Sequence, residues 1–327
     1  MIVMPAEIND AILGYLIQFF SCAEKSTLNR SSETYEKRKI NVIHLLPALM
    51  AVLYAYIGTS LLWFSGLGQQ LEGPFSKEEN ITATLFNLVY FIALVLIGTV
   101  ILLILVKIKK LKIINIFYFL ATTMLGITIY EIYLISVSEI LNINLEVSIV
   151  QIIVFSLSLI SSLLIFLSKN EKILFLLLTF YGGLTGPLFS YMLPLWSIFT
   201  ISIALSLYDL YSVFKGPLKI IINEIYSKEG GEDKVDKSIP PIKGAIVPIG
   251  GLNIGLGDIV FYSLLVSASI MYPRLSYIRG FFVSVAILTG NYITLKLLEK
   301  HRYLPALPIP ILLGLFVNLV FLFLNIL

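Results

Sequence analysis

Three acidic residues lie well inside apolar stretches of this chain: Glu131 in "YEIY", Asp209 in "SLYDLYSVF" and Asp258 in "NIGLGDIVFY". A charged side chain near the centre of a bilayer costs at least about 2.5–3.5 kcal/mol on insertion scales, so such residues usually face a cavity, a partner or a substrate. Asp209 precedes Lys215 by six residues, which is about 9 Å of helix. Asp258 lies at a similar depth in the next apolar segment, counted from the same intervening loop. Two carboxylates a few ångströms apart cannot both ionise readily, so the pair shares a proton and supplies an acid and a base at one site. The ionised member can take a proton from water as it attacks a peptide carbonyl. The protonated member can polarise the carbonyl oxygen and later protonate the leaving nitrogen. The same pair could equally serve as a proton or cation relay, or hydrogen-bond two helices together. Glu131, nearer the opposite end of its helix, reads as an interfacial carboxylate snorkelling between two tyrosines.

Two further stretches carry unusual backbone. In "GGLNIGLGD", four glycines in eight residues precede or adjoin Asp258, and glycine permits both non-helical conformations and close approach by another chain. The stretch does not complete a dinucleotide fingerprint, because Val260 occupies the last glycine position. In "LPALPIPILLG", Pro305 is expected to open the last helix, with Pro308 and Pro310 withholding hydrogen bonds from its first turns. Each tripeptide recurs elsewhere, GLG at Gly66 and PAL at Pro47, so neither is informative alone.

These residues need a membrane frame to position them. The 327 residues are 58% hydrophobic and 13% charged, with a mean hydropathy of +0.93, against about 25% charged in a soluble domain. Continuous apolar runs point to helices, since only helices and closed barrels satisfy their backbone in lipid. Candidate spans are 44–64, 82–106, 113–136, 147–168, 172–190, 193–214, 253–272, 276–297 and 304–325, an all-α polytopic architecture of nine transmembrane helices. Of the 23 Lys and Arg residues, 20 fall in the segments on one side and 3 on the other. Cytoplasmic loops carry that excess, which puts the N-terminus in the cytoplasm and the C-terminus outside. The organisation expected is an N-terminal cytoplasmic or interfacial segment (1–43), helices one to six (44–214), a cytoplasmic loop (215–252) and helices seven to nine (253–327). The loop's charged first part reads as mobile and its apolar second part, "IPPIKGAIVPIGG", as extended chain packed on the helices.

Composition also excludes functions. A net charge of +3 with no groove-like basic patch gives no reason to expect nucleic acid. One cysteine, Cys22, rules out an internal disulfide framework and a cysteine metal cluster. HExxH, GxSxG and GK[ST] are absent, which removes the helical zinc proteases, the serine-hydrolase elbow and the P-loop. The run "AILGYLIQFF" is too short for a span and reads as an interfacial helix. Apart from a protease, the segments would suit an ion-coupled transporter using the aspartates as a relay, or a silent scaffold. Internal repeats of the kind transporters carry are not evident.

Taken together, Tyr208-Asp209 in the sixth span, Gly255-Leu256-Gly257-Asp258 in the seventh and Pro305-Ala306-Leu307 at the ninth resemble the YD, GxGD and PAL motifs of the presenilin family of intramembrane aspartyl proteases. The likeness extends over "YDLYSVFKGPLK", "GLGDIVFYSLL" and "LPALPIPI". Signal peptide peptidases share the motifs but resemble an inverted presenilin, and the charge split favours the presenilin orientation. The resemblance implies hydrolysis of single-span membrane proteins within the bilayer, with Asp209 and Asp258 catalytic and no metal or organic cofactor. It also implies a substrate-binding role for Tyr208, Gly255, Leu256, Gly257, Pro305, Ala306 and Leu307. The expected partners are transmembrane-helix substrates and the lipid bilayer. The short N-terminal segment and compact loop resemble a microbial homologue in a cell membrane, for which accessory subunits are not implied.

Overall fold

The computed structural model describes residues 41–107, 111–214, 243–299 and 304–324. Most of the expected N-terminal segment and the charged part of the long loop therefore lie outside the described residues. Among those described, nine helices have sixteen or more residues: α1 (Leu46–Phe64), α2 (Ile81–Lys107), α3 (Leu111–Leu141), α4 (Val147–Leu167), α5 (Glu171–Met192), α6 (Leu195–Phe214), α7 (Leu256–Met271), α8 (Tyr277–Leu298) and α9 (Pro308–Phe323). Seven of them, all but α7 and α9, are long and apolar enough to cross a membrane. Their outer surfaces match that environment. Leu85, Phe86, Val89, Ile97 and Val100 on α2 and Ile152, Phe155 and Ile160 on α4 are each more than half exposed, a continuous apolar face that an aqueous protein would cover.

The shorter α7 is the buried axis of the molecule, with every residue from Tyr262 to Met271 buried. It packs against α1, α5, α6, α8 and α9. Glycines on α5 let it come so close. A Cβ at Gly182 would stand 2.9 Å from Ile259 Cγ2, and one at Gly186 would fall on Ser263 Oγ and the Leu264 amide nitrogen. These two positions form the small-xxx-small spacing by which membrane helices bring their backbones together. Hydroxyls complete the contact: Ser267 accepts from Thr59 on α1 at 2.6 Å and meets Ser190 on α5 at 2.6 Å. At its far end α7 is held by Arg279, a buried side chain whose Nε donates to Ser269 O at 2.5 Å and whose Nη2 donates to Arg274 O at 2.8 Å. Opposite α7, Gly290 on α8 admits the Pro310 backbone of α9, where a Cβ would lie 2.5 Å from Pro310 Cα.

Two helix starts differ from the sequence expectation. The run at 253–255 is not helix but part of a hairpin, with β1 (Ile246–Ile249) antiparallel to β2 (Leu252–Gly255) and Ile249 opposite Leu252. The two residues between them, Gly250 and Gly251, have φ of 54° and 80°. Both central positions of a type I′ turn require such positive φ, which glycine supplies without strain. Nor does Pro305 open the last helix: α9 begins at Pro308, with Leu307 as N-cap. Pro308 and Pro310 have no N–H, so the carbonyls four residues earlier, at Leu304 and Ala306, have no helical donor to recruit them. Residues 304–307 consequently stay outside the helix.

Candidate active site

The end of α6, the start of α7 and the segment leading into α9 meet at one place. Asp209 projects from the last turns of α6. Its Oδ2 accepts a hydrogen bond from the Leu307 N–H at 3.2 Å, and the Ala306 amide lies nearby. Asp258 is the third residue of α7, and its carboxylate lies near the backbone of Gly255, the N-cap residue. This is the helix end whose unpaired N–H groups favour a carboxylate. Gly255 suits this arrangement because a Cβ there would stand 3.2 Å from Asp258 Oδ2. Asp209 and Asp258 lie within each other's electrostatic field, and both are partly exposed rather than sealed. A pair so placed can divide one proton between an acid and a base.

The other sequence-derived candidates divide. Leu256 and Gly257 begin α7 beside Asp258. Leu256 closes the hairpin through its N–H to Ala245 O at 2.9 Å, while the space around Gly257 is open, with no atom within 4 Å of where a Cβ would be. Leu307 is brought to Asp209 by its amide, Ala306 lies beside it, and Pro305 is buried in the same segment. Tyr208 is directed elsewhere: its hydroxyl meets Thr99 Oγ1 on α2 at 3.1 Å. Glu131 stands apart on an exposed face of α3, in a groove lined by Ile127, Gln151, Val154 and Phe155.

Sequence reasoning missed Tyr262. Its ring is buried, its hydroxyl donates to Ala306 O at 2.9 Å, and the charges of Asp258 and Asp209 both act on it. The carbonyl it engages is the one left without a helical donor by Pro310. The available signal was spacing, because Tyr262 is four residues after Asp258 and so shares its face of α7.

Seven helices long and apolar enough to cross a membrane among the described residues, packed around the buried α7 with an aspartate at the end of α6 and another at the start of α7, define an integral multi-pass membrane protein with two carboxylates in its helical bundle. The presenilin family model matches residues 70–233 and 226–325, and the chain belongs to the presenilin family. Over 125 residues, 37% of this chain, it is 38% identical to Presenilin-B of Dictyostelium discoideum, a match that spans 25% of that protein's length. It is 23% identical over 312 residues to a presenilin-like protein of Arabidopsis thaliana, covering 73% of this chain and 78% of the relative. Among solved structures, a presenilin family intramembrane aspartate protease superimposes with a TM-score of 0.58 at 17% identity, covering 86% of this chain and 99% of that one.

Proposed function

We propose that this protein is an intramembrane aspartyl endopeptidase that cuts single-span membrane proteins within the bilayer. The observation that carries this reading is the meeting of Asp209 and Asp258 beside the Leu307 amide. In the proposed reaction the ionised aspartate removes a proton from water, and the water oxygen bonds to the scissile carbonyl carbon. The protonated aspartate gives its proton to the carbonyl oxygen as negative charge develops there. Collapse of the tetrahedral intermediate breaks the C–N bond: the first aspartate gives its proton to the departing nitrogen, a gem-diol hydroxyl returns a proton to the second as the carbonyl reforms, and the pair is left again with one proton between its members.

A helical substrate hides its carbonyls in i to i−4 bonds and must unwind before water can reach one. We assign the unwound strand to the backbone at 255–257, the adjoining hairpin and the PAL segment, where it adds as an extended chain. The open space at Gly257 and the partly exposed carboxylates support that placement. In this reading α7 and α9 complete a nine-span bundle, short helices sufficing where extended chain continues them, with the N-terminus cytoplasmic and the C-terminus external in a microbial cell membrane.

The test is cleavage of a panel of single-span peptides by purified protein in lipid vesicles, comparing wild type with Asp209→Ala and Asp258→Ala. Loss of an acid or base of this kind removes about 100-fold or more of the rate. Cleavage undiminished in both variants would exclude the pair from catalysis.

A further inference from the structure

The hairpin that precedes Asp258 is too small to hold itself in place. Each strand has four residues, and an isolated two-stranded hairpin is marginal at best in water. Yet the orientation of β2 fixes Gly255, the N-cap of α7, and through it the carboxylate of Asp258 three residues on. Something outside the hairpin must therefore fix it.

Two side chains outside the YD, GxGD and PAL motifs do so, one at each end. At the base, Lys243 Nζ donates to Phe166 O at 2.8 Å and to Ser168 O at 3.1 Å. These are carbonyls at the C-terminal end of α4, where no further helical N–H is available and a cation is favoured. Partial burial, and then the nearby Lys169, lower the Lys243 pKa from the usual lysine range. Its neighbour Gly244, at φ +89°, lies against Phe166 and Thr122. At the tip, His44 is buried in the short turn before α1. His44 Nδ1 lies 3.0 Å from both the Asn41 N–H and the Asn41 carbonyl; in the tautomer that accepts from that N–H, Nε2 carries the proton and faces Gly250 O at 3.3 Å. The carbonyl it reaches belongs to the turn itself. The hairpin is thus tied at its base to α4 and at its tip to the start of α1.

We propose that His44 and Lys243 are positioning residues of the active site: by clamping the two ends of the hairpin they fix the backbone leading into Asp258 and the strand on which substrate is laid. Neither contacts the aspartates, so each acts through the hairpin. This inference rests on the protease reading only for its catalytic consequence, because the clamp itself can be measured without turnover.

The experiment combines amide hydrogen exchange with cleavage kinetics on full-length protein in lipid vesicles, for His44→Leu, His44→Gln, Lys243→Met and Lys243→Arg. Glutamine retains an N–H at about the reach of Nε2, and arginine retains several donors for the α4 carbonyls. Loss of one neutral hydrogen bond should raise exchange of the 246–256 amides about fivefold in His44→Leu, and loss of two charge-assisted bonds about tenfold or more in Lys243→Met. The glutamine and arginine variants should restore at least half of the protection. Exchange in α8, remote from the clamp, should be unchanged in all four. The clamp is overturned if 246–256 exchange as in wild type in both His44→Leu and Lys243→Met. With exchange raised, kcat should fall about fivefold or more in those two variants and recover with the conservative ones. Raised exchange with wild-type kcat would overturn the positioning role. If wild type cleaves nothing in the panel, the exchange arm still decides the clamp, and the protease reading fails separately.

Discussion

Replacing Gly186 by alanine tests whether the catalytic geometry depends on how closely α5 and α7 approach. The added Cβ would fall on Ser263 Oγ and the Leu264 amide nitrogen, and would lie 2.6 Å from the Ser263 carbonyl carbon. The hydroxyl can rotate away, but the backbone atoms cannot. Bringing that last contact to the 3.4 Å at which ordinary packing begins requires α7 to retreat by about 0.8 Å. Overpacking of this kind costs about 1–3 kcal/mol. Ser263 is five residues from Asp258 on a helix buried from Tyr262 to Met271, so the displacement is carried to the carboxylate, where about 1 Å of misplacement costs on the order of 100-fold in rate. The assay is kcat for a single-span peptide in vesicles, with a thermal unfolding midpoint measured on the same samples. Gly98→Ala is the matched control: it lies within α2, where a new Cβ meets nothing within 4 Å, and alanine there should be neutral or stabilising by up to about 1 kcal/mol. Wild-type kcat and midpoint in Gly186→Ala would refute the close-contact argument.

Two further substitutions separate the hydrogen bonds around the site from those that hold its scaffold. Tyr262→Phe keeps the buried ring but removes the donor to Ala306 O, a carbonyl that Pro310 cannot serve. The loss of about 1–2 kcal/mol should lower the unfolding midpoint by a few degrees, and release of the segment beside Asp209 should lower kcat roughly tenfold; an equal kcat would detach this bond from catalysis. Arg279→Met should instead act on stability, because it strips the Ser269 and Arg274 carbonyls of their buried donor. At about 1.5–3 kcal/mol for each bond to a charged group, the midpoint should drop by several degrees, and a midpoint equal to wild type would contradict the capping role.

The frame of the molecule was legible because membrane solvation is a coarse, additive signal. Runs of about twenty apolar residues between charged breaks mark helices whatever their neighbours, whereas counting residues to the loop put Asp258 as far into its helix as Asp209, and α7 instead begins at Leu256 with Asp258 in its first turn. The hairpin was obscured for the same reason. "IVPIGGLNIG" is as apolar as a span, so hydropathy merges β2 with α7, although the paired glycines between alternating residues carry the turn signal. Tyr208, adjacent to Asp209 in sequence, turned to Thr99 on α2, because successive residues of a helix point about 100° apart and cannot both face one site. His44 and Lys243 could not have been found by any local rule. Their partners lie 206 and about 76 residues away, and their role depends on which helix ends the fold brings together.

The prolines before α9 connect these levels. A proline in a membrane helix is usually treated as a defect that neighbouring groups must repair. Here the missing N–H of Pro310 leaves the Ala306 carbonyl for Tyr262, while the Leu307 N–H, ahead of the helix, donates to Asp209. One three-residue segment therefore accepts a bond from α7 and donates one to α6. A regular helix beginning at residue 304 would engage the Ala306 carbonyl in its own ladder, and the segment would lose its acceptor for α7. The sequence PALPIP thus makes backbone polarity available inside an apolar bundle, beside the Asp209 carboxylate and the buried Tyr262 hydroxyl.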